Sequence, residues 1–153
     1  MLPSRFRVHH LGVLVADLAE SVATYTSALG YRVESDPIDD VEQTARVQFL
    51  RLPDANHWVE LVTPLGAQSK LTAALERGTS LHHICYESDG IEDDLARLRS
   101  DGFMPLSRPV PGAAFDGRLI AWLVGPGNLL VELVEAGPGI RSLAALRSAE
   151  PAS

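Results

Sequence analysis

Two histidines and two glutamates recur at matched spacing in apolar segments of this 153-residue chain. His83 follows His10 by 73 residues, and Glu132 follows Glu60 by 72. Each glutamate interrupts an otherwise apolar run, where an unpaired buried charge would be strongly destabilising. Something cationic should therefore face them. Two imidazoles and two carboxylates are a nitrogen and oxygen ligand set suited to a divalent metal with room for water or substrate.

The elements that must position these residues repeat as well. In the first half, a β-branched run over 8–15 predicts a strand, Asp17 caps a helix that ends at Gly30, and three further strands follow. In the second half, a strand over 81–87 precedes a helix capped by Asp89, and three strands again follow. Both halves therefore predict a βαβββ module.

From this repeat we predict an α+β fold in which two paired βαβββ modules bury their faces against each other and meet at a cleft, here called the cup, where the two His and Glu pairs converge. The whole chain, 1–153, is predicted to be a single domain. Its predicted parts are a module at 7–65, a linker helix at 66–79, a module at 80–136, and a C-terminal helix and tail at 137–153.

Strand alternation predicts which side chains reach the cup. Successive side chains of a strand point to opposite faces. His10 and His83 are therefore expected to face the cup, whereas His9 and His82 are expected to face the helices as structural residues.

Composition excludes several classes of function. Hydrophobic residues make up 46% and charged residues 22%, as in an ordinary globular domain, and the net charge of −7 argues against nucleic acid as a partner. The sequence predicts no membrane partner, because no apolar run approaches the roughly 18 residues that a bilayer requires. The single Cys85 is expected in the core, and a cytoplasmic location is the expectation.

The motifs resemble those of the vicinal oxygen chelate superfamily, which contains glyoxalases, bleomycin resistance proteins and dioxygenases. The resemblance implies a glyoxalase-like fold, in which the two modules form a cup-shaped mixed β-sheet around a metal site. Within the superfamily, the sequence is most similar to the methylmalonyl-CoA epimerases. The similarity extends over about 8–135, and it is carried by His10-Leu11-Gly12-Val13, by Glu60 to Gly66 leading into a helix at Ser69, by Leu81-His82-His83-Ile84 and by Val131-Glu132-Leu133.

This resemblance implies a metal-dependent isomerase. His10, Glu60, His83 and Glu132 would hold one divalent ion, with Co, Ni, Mn or Zn as candidates. The substrate would be a small molecule, with an acyl-CoA as the candidate, whose α-proton moves through a metal-stabilised enolate. The resemblance also implies a homodimer.

Three residues are assigned to the chemistry. Glu132 would serve as ligand and as base. Some of these epimerases have a second carboxylate on the third strand, where the alignment places Gln48, so Gln48 or a water would reprotonate the other face. Arg118 follows a Gly/Pro-rich loop at 111–117 that resembles a lid, and it is our candidate for clamping a substrate carboxylate.

Two other functions fit the same residues. The His, Glu, His, Glu order is also similar to that of bacterial glyoxalase I, a lactoylglutathione lyase. A non-catalytic cup that binds a small molecule is a further alternative. The segment Pro64-Leu65-Gly66 and the helix after it favour the epimerase.

Overall fold

A single ten-stranded mixed sheet forms the framework of the computed structural model, which describes residues 6–136. The predicted C-terminal helix and tail, 137–153, lie outside the described residues. The strands are β1 (Arg7–Leu14), β2 (Arg32–Val33), β3 (Ile38–Asp40), β4 (Ala45–Arg51), β5 (Trp58–Pro64), β6 (Leu81–Ser88), β7 (Met104–Pro105), β8 (Val110–Pro111), β9 (Leu119–Val124) and β10 (Leu130–Glu135). The helices are α1 (Leu18–Leu29), α2 (Thr72–Glu76) and α3 (Ile91–Ser100).

The two halves of the sheet have the same topology. The strand order is β2-β4-β5-β1-β6-β10-β9-β7, with β3 also paired to β4 and β8 to β9. In each half the first strand runs parallel to the last, and the antiparallel pair of β1 and β6 joins the halves. The predicted α+β fold of two paired modules is confirmed. It differs in one respect, because the second strand of each module is broken into two short pieces.

The helix boundaries follow local chemistry. Asp17 begins α1, since its side chain accepts a hydrogen bond from the backbone N–H of Glu20, and Gly30 ends it at a φ of 80°. The prediction that Asp89 caps α3 is wrong. Gly90 occupies the cap position, and its backbone N–H donates to the hydroxyl of Ser88. No helix within residues 6–136 is long and apolar enough to cross a bilayer.

Three apolar clusters hold these layers together. One lies beneath α1 and includes Leu18, Leu50 and Leu61, and another lies beneath α3. The third fills the opposite face of the sheet, which we call the inner face, and includes Phe49 and Phe115. Both long helices therefore cover one face, and the inner face is left to side chains from both halves.

Candidate metal centre

The four central strands bring the predicted ligands together. β1 lies between β5 and β6, and β6 lies between β1 and β10. His10 comes from β1, Glu60 from β5, His83 from β6 and Glu132 from β10. All four side chains are buried, with between 0% and 7% of each residue exposed. The duplicated sheet therefore brings the two His and Glu pairs to one point, as the repeat predicts.

The donor atoms are as close as ligands of one ion. Nε2 of His10 lies 3.0 Å from Nε2 of His83. Oε1 of Glu132 lies 3.1 and 3.5 Å from these nitrogens, and Oε1 of Glu60 lies 3.6 and 3.4 Å from them. Atoms bound at about 2.0–2.2 Å to a common ion are themselves roughly 3.0–3.5 Å apart. His10, His83 and Glu132 therefore fit a divalent metal. An oxygen of Glu60 lies near both imidazoles and is the candidate for a fourth ligand.

One oxygen in the cluster supports this interpretation. Oε1 of Glu132 is buried and has no hydrogen-bond donor of suitable geometry among residues 6–136, although Nε2 of His10 lies 3.1 Å away. Buried carboxylate oxygens are normally satisfied. An oxygen aimed at the same point as two imidazole nitrogens, without a hydrogen bond, is what a metal ligand requires.

The electrostatics of the cluster keep one imidazole neutral. Burial lowers the pKa of His10 to about 3, against the opposing influence of Glu60. Burial also disfavours protonated His83, but its hydrogen bond to Glu60 and the charge of Glu132 outweigh this and raise its pKa. Burial raises the pKa of Glu132. Since metal ions bind neutral imidazole, His10 already has the required protonation state.

The expectation that His9 and His82 face the helices is wrong. Between β1 and β6, Val8 pairs with Tyr86 and His10 with Cys85, so His9 is an extra residue on its strand. His82 is the matching extra residue on β6. Such β-bulges break the alternation of side chains. Both histidines therefore point to the inner face.

The bulged histidines contact the candidate ligands directly. Nδ1 of His9 lies 2.7 Å from Nδ1 of His10, and Nδ1 of His82 lies 2.8 Å from Nδ1 of His83. Burial lowers the pKa of His9 to about 2 and that of His82 to about 4. These contacts occupy Nδ1 of His10 and of His83, and Nε2 of each candidate ligand is left for a metal. Partners of this kind fix the orientation of a metal-binding histidine.

A small cavity opens beside the cluster. It has a volume of about 50 Å³, and its walls come from both halves of the sheet and from the loop before β9. Apolar side chains dominate these walls. The polar lining residues are Asp40, Gln43, Glu60, His82, His83 and Glu132. Two of these residues, Asp40 and His82, can titrate and do not belong to the predicted ligand set. Neither was predicted from the sequence to line the site.

Two predicted site residues do not reach this cavity. Gln48 is turned to the helix-covered side of β4, where its Nε2 donates to the backbone carbonyl of Ser35. Arg118 is also directed elsewhere, and its Nη1 donates to the carbonyl of Ala136. Neither residue lines the cavity. The expected places of Gln48 and Arg118 beside the substrate are therefore corrected, although the loop that precedes Arg118 does form a wall.

The amino-acid sequence is similar to that of known proteins over most of its length. The sequence profile of the Glyoxalase/Bleomycin resistance protein/Dioxygenase superfamily matches residues 9–122. An ethylmalonyl-CoA/methylmalonyl-CoA epimerase of Cereibacter sphaeroides is 32% identical over 119 residues, which cover 76% of this chain and 87% of that protein.

Solved structures agree with this similarity. The methylmalonyl-CoA epimerase of Mycobacterium tuberculosis has a TM-score of 0.76 and 27% identity, over 90% of this chain and 91% of that one. A methylmalonyl-CoA epimerase in complex with methylmalonyl-CoA and NH4+ has a TM-score of 0.75 and 26% identity, over 89% of this chain and 98% of that one.

Replacing one candidate ligand should abolish tight metal binding. We expect the chain to bind one Co²⁺ or Zn²⁺, and His83→Gln to weaken this binding by more than about 100-fold, because loss of a ligand should exceed the 10–100-fold effect of an outer partner. Calorimetric titration of metal into chelator-treated protein measures this. The control is His57→Gln, because His57 is half-buried, does not line the cavity, and has its one side-chain hydrogen bond among residues 6–136 with Asn56. Equal affinity in the two variants would place the ion elsewhere.

A methyl group at Gly12 should disturb the same centre. A Cβ there would overlap the imidazole of His83, which lies directly across from Gly12 in the sheet. We expect Gly12→Ala to displace this ring and to lower metal affinity about 10- to 100-fold. Gly90→Ala is the control, since its nearest contact would be Asp93 at 3.8 Å. Unchanged affinity in Gly12→Ala would contradict the close packing described.

Proposed function

The chain belongs to the glyoxalase/bleomycin resistance protein/dioxygenase superfamily, and we propose that it is a divalent-metal-dependent epimerase acting on an acyl-CoA thioester with an acidic α-proton. Its relatives in sequence and in structure are named as methylmalonyl-CoA epimerases, which supports this reaction class. A 2-methylmalonyl or 2-ethylmalonyl thioester is the substrate we infer. A cytoplasmic location and a homodimeric state stay predictions from the sequence.

The observation that carries the proposal is the position of Glu132. Its carboxylate belongs to the buried ligand cluster and also lines the cavity, with one oxygen that lacks a hydrogen bond. A carboxylate in this position can hold a metal and also accept a proton from a substrate that binds beside it. Cys85 is the partner of Glu132 across the sheet, and burial together with the charge of Glu132 raises the pKa of its thiol, which stays protonated.

The reaction follows from this geometry. His10, Glu60, His83 and Glu132 would hold the ion, and a bound divalent metal supplies the positive charge that stabilises an enolate oxygen. Glu132 takes the α-proton from the carbon next to the thioester. The apolar walls around the cavity exclude bulk water, so this carboxylate and the enolate interact in a low dielectric.

The charge of the cavity bears on how the substrate binds. The lining residues described by the structure include three carboxylates and no lysine or arginine. A malonyl-type substrate has a carboxylate of its own, which would be repelled by these walls. A metal ion held by His10, Glu60, His83 and Glu132 would supply the positive charge that this group and the thioester oxygen need, without an arginine in the cavity wall.

Turnover in deuterated water tests the proposal. We expect the metal-loaded protein to epimerise one stereoisomer of methylmalonyl-CoA with incorporation of solvent deuterium at the α-carbon. Glu132→Gln should lower this rate by about 10²- to 10⁴-fold, the range for loss of a general base. The control is Glu135→Gln, a half-buried residue on the same strand that does not line the cavity.

The alternative functions give different results in parallel assays. A glyoxalase I-like lyase would convert the hemithioacetal of methylglyoxal and glutathione, and a binding protein would convert neither substrate. Deuterium incorporation that persists undiminished in Glu132→Gln would contradict the role of this residue. Metal binding without any reaction of methylmalonyl-CoA would contradict the epimerase itself.

A further inference from the structure

A second carboxylate of the cavity wall has no role in the cluster described above. Asp40 is the last residue of β3, a three-residue strand that pairs with the start of β4. Its neighbour Asp39 points outward, is about half exposed and forms a bidentate pair with Arg46. Asp40 instead points inward and lines the cavity together with Glu132. Alternation along one short strand thus separates a surface carboxylate from a cavity carboxylate.

The contacts of Asp40 leave it available for chemistry. Its Oδ1 accepts a hydrogen bond from the backbone N–H of Gln43 at 3.1 Å, which fixes the turn after β3. No basic side chain among residues 6–136 forms an ion pair with it. Burial raises its pKa against the hydrogen bond from Gln43, and the negative charge of Glu132 raises it further. Asp40 therefore retains a proton more readily than an exposed aspartate does.

Strand order places the two carboxylates on different walls. β3 lies at the outer end of the first half of the sheet, and β10 lies in the second half, with β4, β5, β1 and β6 between them. Both side chains nevertheless line one cavity. A substrate held between these walls would have Glu132 towards one face of its α-carbon and Asp40 towards the other.

Inversion at a carbon needs proton transfer on both faces. If the chain is the epimerase proposed above, one group removes the α-proton and another must deliver a proton to the opposite face. The titratable side chains of the cavity outside the ligand cluster are Asp40 and His82. His82 is bonded to the ligand His83 and comes from the same half of the sheet as Glu132. Asp40 is the one that approaches from the other half.

We propose that Asp40 is the second catalytic residue of this enzyme, the acid that protonates the enolate on the face opposite Glu132. Glu132 takes the α-proton, and the electron pair of the broken C–H bond enters the enolate. The carboxyl O–H of Asp40 then gives its proton to the other face, and the enolate electron pair forms the new C–H bond. In the reverse direction the two carboxyl groups exchange roles, and exchange with water restores their protons between turnovers.

The test separates proton exchange from inversion. Each stereoisomer of methylmalonyl-CoA is incubated separately with metal-loaded protein in deuterated water, and epimer formation and α-deuteration are followed by NMR. We expect Asp40→Asn to lower inversion at least 100-fold in both directions. The stereoisomer whose α-proton faces Glu132 should still exchange it at a rate near that of the wild type, whereas the other stereoisomer should not.

The control variants keep the local structure. Asparagine at position 40 retains an oxygen for the backbone N–H of Gln43, and Asp40→Ser is a second variant that preserves this acceptor without a carboxyl group. Asp39→Asn is the matched control on the same strand, and it should leave inversion and exchange unchanged. Circular dichroism and metal stoichiometry verify that each variant is folded and loaded.

The outcomes distinguish this assignment from the function on which it rests. Inversion at the wild-type rate in folded, metal-loaded Asp40→Asn or Asp40→Ser would overturn the role of Asp40 and leave the epimerase intact. Loss of exchange from both stereoisomers to the same degree would also overturn it, because Asp40 would then not act on one face. Absence of both inversion and exchange in the metal-loaded wild type would overturn the epimerase and Asp40 with it.

Discussion

Two carboxylates buried at the centre of a continuous sheet are the constraint on which the rest of this structure depends. Glu60 and Glu132 are 7% and 4% exposed, and their ion-pair partners are imidazoles. Burial holds His10 neutral and raises the pKa of Glu132, and of the two imidazoles only that of His83 has a raised pKa. These side chains therefore supply at most one positive charge against two negative ones. A divalent cation at the point where their donor atoms meet removes this imbalance, which is why the cluster is best understood as a metal centre.

The duplicated sheet positions one His and one Glu in the same way in each of its halves. Each half supplies one histidine from its first strand and one glutamate from its last, and the pairing of β1 with β6 places the two sets side by side. The walls are not duplicated in the same way. β3 ends in the cavity carboxylate Asp40, whereas the corresponding β8 is Val110–Pro111. A symmetric scaffold thus positions the two His and Glu pairs, whereas the asymmetric edges place different side chains at the cavity.

Sequence patterns predicted that these four side chains lie together, because the repeat itself relates their positions; their role as metal ligands stays a prediction. The histidines are 73 residues apart and the glutamates 72, so the prediction required only that the two halves have the same fold. The same reasoning failed for His9, because alternation holds only while the hydrogen-bond ladder is regular. An added residue on one strand changes which side chains point inward. The residue types around the two His-His pairs do not indicate a β-bulge, so the sequence did not predict it.

Irregular segments account for the other differences between prediction and structure. Residues 36–42 look like a polar acidic loop, yet Ile38–Asp40 pair with β4 as a strand. Tertiary pairing, and not propensity, gives Asp40 its inward direction. Gln48 was misplaced by one position of strand register, since its neighbours Val47 and Phe49 face the inner cluster and it does not. A shift of one residue in an aligned strand exchanges its two faces.

The loop before β9 covers the candidate metal centre. Phe115 is 3% exposed, and its ring lies against those of His10, at 6.2 Å between centroids, and Phe49. The cavity of about 50 Å³ that remains has room for a few water molecules. Phe115, Ala113 and Ala114 of this loop are among the residues that bound this volume, so the loop limits the size of any ligand beside the cluster. Gly112 and Gly117 flank the apolar segment, and the φ of 79° at Gly117 is one that a residue with a side chain adopts at a cost. The same apolar cover limits the access of water to the buried carboxylates and imidazoles, which strengthens the electrostatic interactions among them.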